Sequence, residues 1–153
     1  MRLWTWALEA YARPGAAQAC LDLQDRFGQC VPYLLWSAWA ASEGRVLDAM
    51  TLLDGADLCD GWQDAAVAPL RAARRAMKPP VEGMADPARE ALRAEVMALE
   101  LKAERLVMET LEALTPETSS TALSLVEALR AAARAWPSRA PLEALEQLAQ
   151  TLC

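Results

Sequence analysis

The sequence predicts an all-α protein, a compact bundle of about six to eight helices, and three observations carry that prediction. Ala, Leu, Glu and Arg far outnumber Val, Ile and Thr, a balance that favours helix over strand. Apolar residues recur at spacings of three and four along most of the chain, the period of an amphipathic helix. Proline and glycine fall between these runs, where helices start and stop. With 153 residues, 54% of them apolar and 24% charged, the chain suits a single globular domain over residues 1–153, with a linker near 79–85. A chain of this size buries about 70% of the surface that its unfolded form exposes.

The segment from Trp4 to Trp39 holds four of the six tryptophans, both tyrosines and the only phenylalanine, and is expected to found the core. A first helix, Arg2 to Ala12, places Trp4, Ala7, Leu8 and Tyr11 on its apolar face and Trp6 at the edge of that face. Arg13-Pro14-Gly15 breaks it, because proline disfavours the helical conformation in the residue before it. A second helix follows with the line Ala16, Cys20, Leu23 and Phe27, and Gly28 stops it. The third, near 32–43, is apolar nearly all round and is the expected central helix.

Val46, Met50 and Leu53 predict a short helix closed by Gly55. Asp60 then caps a further helix running to Lys78, with Gln63 in the reciprocal position and a kink or late start at Pro69. Pro79-Pro80 stops it. Asp86-Pro87 opens the longest helix, near 87–114. There Leu92, Val96, Leu99, Ala103, Leu106, Thr110 and Ala113 form a heptad-like line, which Met97, Leu101, Met108 and Leu111 widen into the face of a bundle helix. Thr115-Pro116 is expected to begin another helix, with Ser119 or Ser120 as alternative caps and Leu123, Val126, Leu129, Ala133 and Trp136 following. A last helix from about Pro141 carries Leu142, Leu145, Leu148 and Leu152 on one face.

Several classes of chemistry are excluded or disfavoured. The chain has no histidine, which removes the commonest general base, the Ser/His and Cys/His pairings and most zinc sites. No phosphate-binding glycine loop, nucleophile elbow or metalloprotease motif occurs, so no enzymatic activity and no cofactor are expected. Asp54, Asp57, Asp60 and Asp64 lack the spacing of a calcium loop, and no metal is predicted. The four cysteines form no CxxC pair and read as free thiols. No run approaches the roughly 18 apolar residues of a membrane span, and the N-terminus lacks a signal-peptide pattern, so a cytoplasmic protein without a membrane role is expected. The net charge of −6 disfavours general nucleic-acid binding.

Arg71, Arg74, Arg75 and Lys78 fall at i, i+3, i+4 and i+7 of one predicted helix, a strip of four cations suited to an anionic partner. The same arrangement also has a purely structural reading, since cations in the last turns of a helix complement its dipole. Trp6, beside the polar stripe of the first helix, is a candidate to face a partner, whereas the other aromatic residues suit a core. Arg13 and Gln24 bracket the first two helices and could converge on a pocket, or Arg13 could lock the junction through carbonyl bonds.

The motifs W-x-W-A-L-x-x-Y-x-R-P-G at Trp4–Gly15 and C-L-x-L-Q-D at Cys20–Asp25 stand out, with Leu34-Leu35-Trp36 after them. A-P-L-R-x-x-R-R-x-x-K at Ala68–Lys78 and E-L-x-A-E-R-L at Glu100–Leu106 follow. Through them the chain resembles an uncharacterised family of small proteobacterial proteins, a domain of unknown function. The resemblance implies a shared fold and brings no activity, cofactor or catalytic residue with it. The functional expectation is a protein–protein interaction or accessory module acting through the strip or the side of the long helix. The alternative is a binder of a small anionic ligand, or of a phosphate or nucleic-acid backbone, through the same strip, with at most modest enzymatic activity.

Overall fold

The structure is a computed structural model that describes residues 1–117 and 123–153. Eight α-helices are present among these residues: α1 (Leu3–Tyr11), α2 (Ala16–Phe27), α3 (Val31–Ser42), α4 (Ala49–Trp62), α5 (Ala68–Ala76), α6 (Asp86–Leu114), α7 (Leu125–Ala135) and α8 (Leu142–Thr151). The protein is an all-α bundle, as its composition predicts.

α3 lies at the centre and packs against α1, α2, α4, α6 and α7. Every residue from Tyr33 to Ala41 is buried, which is what a helix apolar on all sides requires. Its aromatic rings also carry polar tips, and each tip finds a partner on a different part of the chain. The Tyr33 hydroxyl donates to the Leu52 carbonyl at 2.9 Å. Trp36 Nε1 donates to Thr115 Oγ1 at 2.7 Å, and Trp39 Nε1 donates to the Met1 carbonyl at 2.9 Å. Trp62 and Trp136 repeat the pattern, bonding the carbonyls of Ala103 and Gly28 at 2.9 Å each. An indole or phenol buried in this way keeps its apolar contact area without leaving a donor unpaired.

Several local expectations are corrected. The buried face of α1 is Leu3, Trp6, Ala7 and Ala10, one residue out of phase with the predicted line, so Trp6 is core while Leu8 and Tyr11 are exposed. In the second helix Ala19 joins Ala16, Cys20 and Leu23 in the core, and Gly28 ends the helix in the left-handed conformation at φ 60°, as a C-terminal glycine does.

The predicted break at Gly55 and the cap at Asp60 are absent. α4 runs through both from its Asp48 cap, whose carboxylate accepts the Thr51 N–H at 2.8 Å. Gly55 is a contact point instead: a β-carbon there would lie 2.8 Å from Trp36 Cη2 and closer still to Cζ3. Leu52, Ala56 and Cys59 are buried with it, whereas Met50 and Leu53, assigned to the apolar line, are exposed.

The irregularity expected near Pro69 takes the form of a π turn, Gln63–Val67, joining α4 to α5. Pro69 has no N–H and its ring would strike the carbonyl four residues back. The widened turn relieves that clash, with the Ala68 N–H reaching the Gln63 carbonyl five residues earlier.

In α6 the buried positions are Arg89, Glu100, Ala103, Val107, Met108 and Leu111. Of the predicted heptad-like line only Ala103 is buried, and Leu92, Leu99 and Leu106 are exposed. α7 begins at Leu125 rather than near Thr115, and its cap is Ser124 in a reciprocal capping box with Glu127. The alternative caps Ser119 and Ser120 lie outside the described residues. Among the described residues no helix is long and apolar enough to cross a membrane.

The contact of Gly55 with the Trp36 ring yields a stability test. Gly55→Ala gains helix propensity but forces Trp36 out of place, and a net loss of about 1–3 kcal/mol is expected. Urea unfolding followed by circular dichroism measures it, with Gly61→Ala, where a β-carbon would meet nothing within 4 Å, as the control that gains stability.

Candidate functional site

α1, α2, the start of α3, α5 and α6 surround a groove of about 390 Å³. The phase of α1 creates one wall: with Leu3, Trp6, Ala7 and Ala10 turned into the bundle, the opposite edge presents Trp4, Leu8 and Tyr11 to the groove. α2 adds Leu21 and Gln24, the start of α3 adds Val31, Pro32 and Leu35, and α6 adds Leu101 and Met108. Leu8, Tyr11, Leu21 and Leu101 are 39–51% exposed, so the groove gathers large apolar side chains that the fold leaves open to solvent. Arg105 stands 5.9 Å from the Trp4 ring, within cation–π range. Partial burial, the largest cause, holds the Tyr11 phenol above its ordinary pKa, which keeps it a neutral hydrogen-bond donor.

The far wall is built from α5 and α6. Arg71 Nε donates to Glu100 Oε1 at 2.9 Å and Arg71 Nη2 to Glu104 Oε1 at 3.0 Å, while Arg74 Nε meets Glu100 Oε2 at 2.5 Å. Two carboxylates one turn apart on α6 therefore neutralise two of the four cations in the predicted strip. Arg75 and Lys78 are exposed and make no ion pair among the described residues; Arg75 lines the groove. The end of α5 is closed by Arg89, whose Nη1 donates to the carbonyls of Met77 and Lys78 at 2.7 and 2.8 Å. That guanidinium satisfies carbonyls which the end of a helix otherwise leaves unpaired.

The structure thus brings four of the predicted site residues together at the groove: Gln24, Arg71, Arg74 and Arg75. Three others stand apart from it. Trp6 is 8% exposed and faces the core, so the placement of its ring toward a partner is corrected. Arg13 donates to the Leu152 carbonyl, tying the first helix junction to the end of α8. Lys78 is exposed just past α5 and does not line the groove. Sequence reasoning did not assign Glu100, Glu104, Arg89 or the apolar groove residues to any site. The acids carried one available signal, an i, i+4 pair matching the i, i+3 pair of Arg71 and Arg74.

A second hollow, of about 540 Å³, lies between α7 and α8 and is lined by Arg130, Arg134 and Arg139 over Trp136, Leu142 and Leu145. None of its three arginines makes an ion pair among the described residues. Glu127, one turn before Arg130, is engaged by Ser124.

Three of the four cysteines, Cys20, Cys30 and Cys59, are buried and unbridged, and Cys153 is exposed. Burial pushes the Cys20 thiol up to about 12, and a buried thiol held protonated is inert. Among the described residues no group of three His, Cys, Asp or Glu side chains is placed to hold a metal.

The clasp between α5 and α6 sets a pH dependence. Burial penalises the Glu100 carboxylate, but its bonds and charge contacts with Arg74 and Arg71 outweigh the penalty and hold its pKa below the ordinary value. For Glu104 burial wins over Arg71 and the pKa is raised. A raised carboxylate favours folding as pH falls through its folded value; a depressed one contributes stability above its unfolded value and loses it as pH falls through its folded one. Acidification from neutral pH is therefore expected to relieve the Glu104 penalty first and to release the Glu100 contribution only below the ordinary Glu pKa of about 4.3. Glu100→Gln should reduce stability at pH 7 by about 1–3 kcal/mol and flatten the loss at low pH, as read from urea midpoints across the acid range.

No curated protein and no solved structure matches the chain. Residues 2–111 match a family described as "Protein of unknown function (DUF2390)". This match covers α1 through most of α6, including every element that lines the groove. The chain belongs to the DUF2390 family.

Proposed function

We propose that the protein is a cytoplasmic interaction module that takes a short amphipathic segment of a partner protein into the groove. One observation carries this reading: Leu8, Tyr11, Leu21 and Leu101, from three helices, are all exposed around the same hollow, and gathered apolar exposure of that kind marks binding surfaces. Charge complementarity narrows the partner. With Arg71 and Arg74 held by Glu100 and Glu104, Arg75 at the lip and Lys78 beyond it favour a segment with an acidic residue next to its apolar anchors. The acidic chain as a whole and the neutralised strip weigh against a nucleic-acid backbone.

A photo-reactive cross-linker placed at Leu21 should capture one polypeptide in cells, and the purified pair then allows affinity to be measured. Leu8→Glu, at a position half exposed, should leave folding intact and weaken the complex by more than about tenfold; Arg75→Glu should weaken it further at low salt than at high salt. A complex indifferent to Leu8→Glu and Leu21→Glu would sink the groove as its docking surface.

The hollow between α7 and α8 favours a second reading, binding of a small anion. Arg130, Arg134 and Arg139 gather positive charge at one place on a chain of net charge −6, and guanidinium groups grip phosphate in pairs. Calorimetric titration with pyrophosphate tests it. Saturable heat that disappears in Arg130→Ala and Arg139→Ala is the expected result, and no heat at low salt ends the reading.

A further inference from the structure

The hairpin of α5 and the first half of α6 is thinly packed. α5 buries no residue at all, and α6 buries none between Arg89 and Glu100. Its two helices are tied to each other largely by polar contacts, through Arg71, Arg74 and Arg89. Along the outer side of α6 the residues Leu92, Leu99 and Leu106 are 54%, 50% and 51% exposed. They recur every seven residues and therefore form a single row on the helix, about 21 Å long at 1.5 Å per residue. Ala91 and Ala98 beside the row are exposed and small, which allows a second helix to approach closely. An apolar row with this period is what a helix shows when it packs lengthwise against another helix, and among the described residues no helix covers it.

The charges flanking the row indicate what does. Glu95 and Lys102 are exposed and make no ion pair among the described residues. If two copies of α6 cross antiparallel about a two-fold axis at Leu99, Leu99 meets Leu99, Leu92 meets Leu106, and Glu95 of each copy faces Lys102 of the other. Each copy then supplies one member of each of two equivalent ion pairs, a carboxylate to one and an ammonium to the other, the self-complementarity that an isologous dimer needs. In a parallel pairing residues of equal number stay level, which leaves Glu95 and Lys102 about 10 Å apart along the axis, and no opposite charges meet. We propose that the chain self-associates as an antiparallel dimer through the Leu92–Leu99–Leu106 row of α6, with reciprocal Glu95–Lys102 pairs fixing the register. The contact is at the small end for protein interfaces, so the dimer is weak and concentration-dependent. It uses the side of α6 away from the groove and does not depend on the groove having a partner.

Sedimentation velocity of the full chain over a concentration series tests the dimer. The expected result is a mass rising from that of a 16.7 kDa monomer toward twice that value. Leu99→Glu places two carboxylates on the axis and should leave a monomer at every concentration, with an unchanged circular dichroism spectrum. Lys102→Glu should weaken the dimer roughly tenfold, and the double reversal Glu95→Lys with Lys102→Glu should restore it. A chain that stays monomeric up to its solubility limit overturns the proposal, as does a dimer unmoved by Leu99→Glu. A dimer lost in Leu8→Glu instead assigns self-association to the groove. Failure of the double reversal to restore binding overturns the antiparallel register.

Discussion

Everything else in this structure depends on how α3 reconciles an apolar body with polar tips. Tyr33, Trp36 and Trp39 fill the middle of the bundle, and their hydroxyl and indole groups donate to the Leu52 carbonyl of α4, the Thr115 hydroxyl at the end of α6 and the Met1 carbonyl at the N-terminus. Rings alone would pack in many orientations at similar energy, because burial is non-directional. The tips remove that freedom, since a donor left unpaired in the interior costs about 1–3 kcal/mol. Thr115 shows the economy of the arrangement: its hydroxyl accepts from Trp36 while donating to the Leu111 carbonyl at 3.1 Å, so one side chain closes α6 and fixes the central helix.

The periphery is held differently. α5 contributes no buried side chain, and the hairpin it forms with α6 is secured by guanidinium–carboxylate pairs and by Arg89 on the last carbonyls of α5. The protein thus combines a core fixed by packing with an arm fixed by charge. Ion pairs that are partly buried depend strongly on geometry and protonation, so the arm responds to conditions that leave the core untouched. The groove lies where these two regimes meet, with apolar residues from α1, α2 and α3 on one side and the ionic clasp on the other.

The all-helical class, the central helix and the long helix were legible in the sequence because composition and period speak directly to them. The phase of individual helices was not. In α1 both edges are apolar, and periodicity cannot tell the edge that enters the core, Trp6 and Ala10, from the edge that lines the groove, Leu8 and Tyr11. Gly55 misled for a related reason: a glycine demanded by the close approach of Trp36 looks the same in sequence as one that ends a helix. The cationic strip was visible as a pattern, but whether it is open depends on Glu100 and Glu104, which come near only when α6 folds back on α5. Long-range pairing of that kind leaves only the matching spacings of the two partners in the sequence, and these do not say which helices meet.

The π turn at Gln63–Val67 has a consequence for how the arm is aimed. A π turn amounts to one residue inserted into an α-helix, and one residue turns everything downstream by about 100° about the helix axis. Without the insertion α5 would leave α4 along much the same line but rolled on itself, and Arg71 and Arg74 would point away from Glu100. The turn therefore acts as an indexing step, a fixed quarter-rotation that sets which side of α5 meets α6, and Pro69 is the residue that holds the index in place.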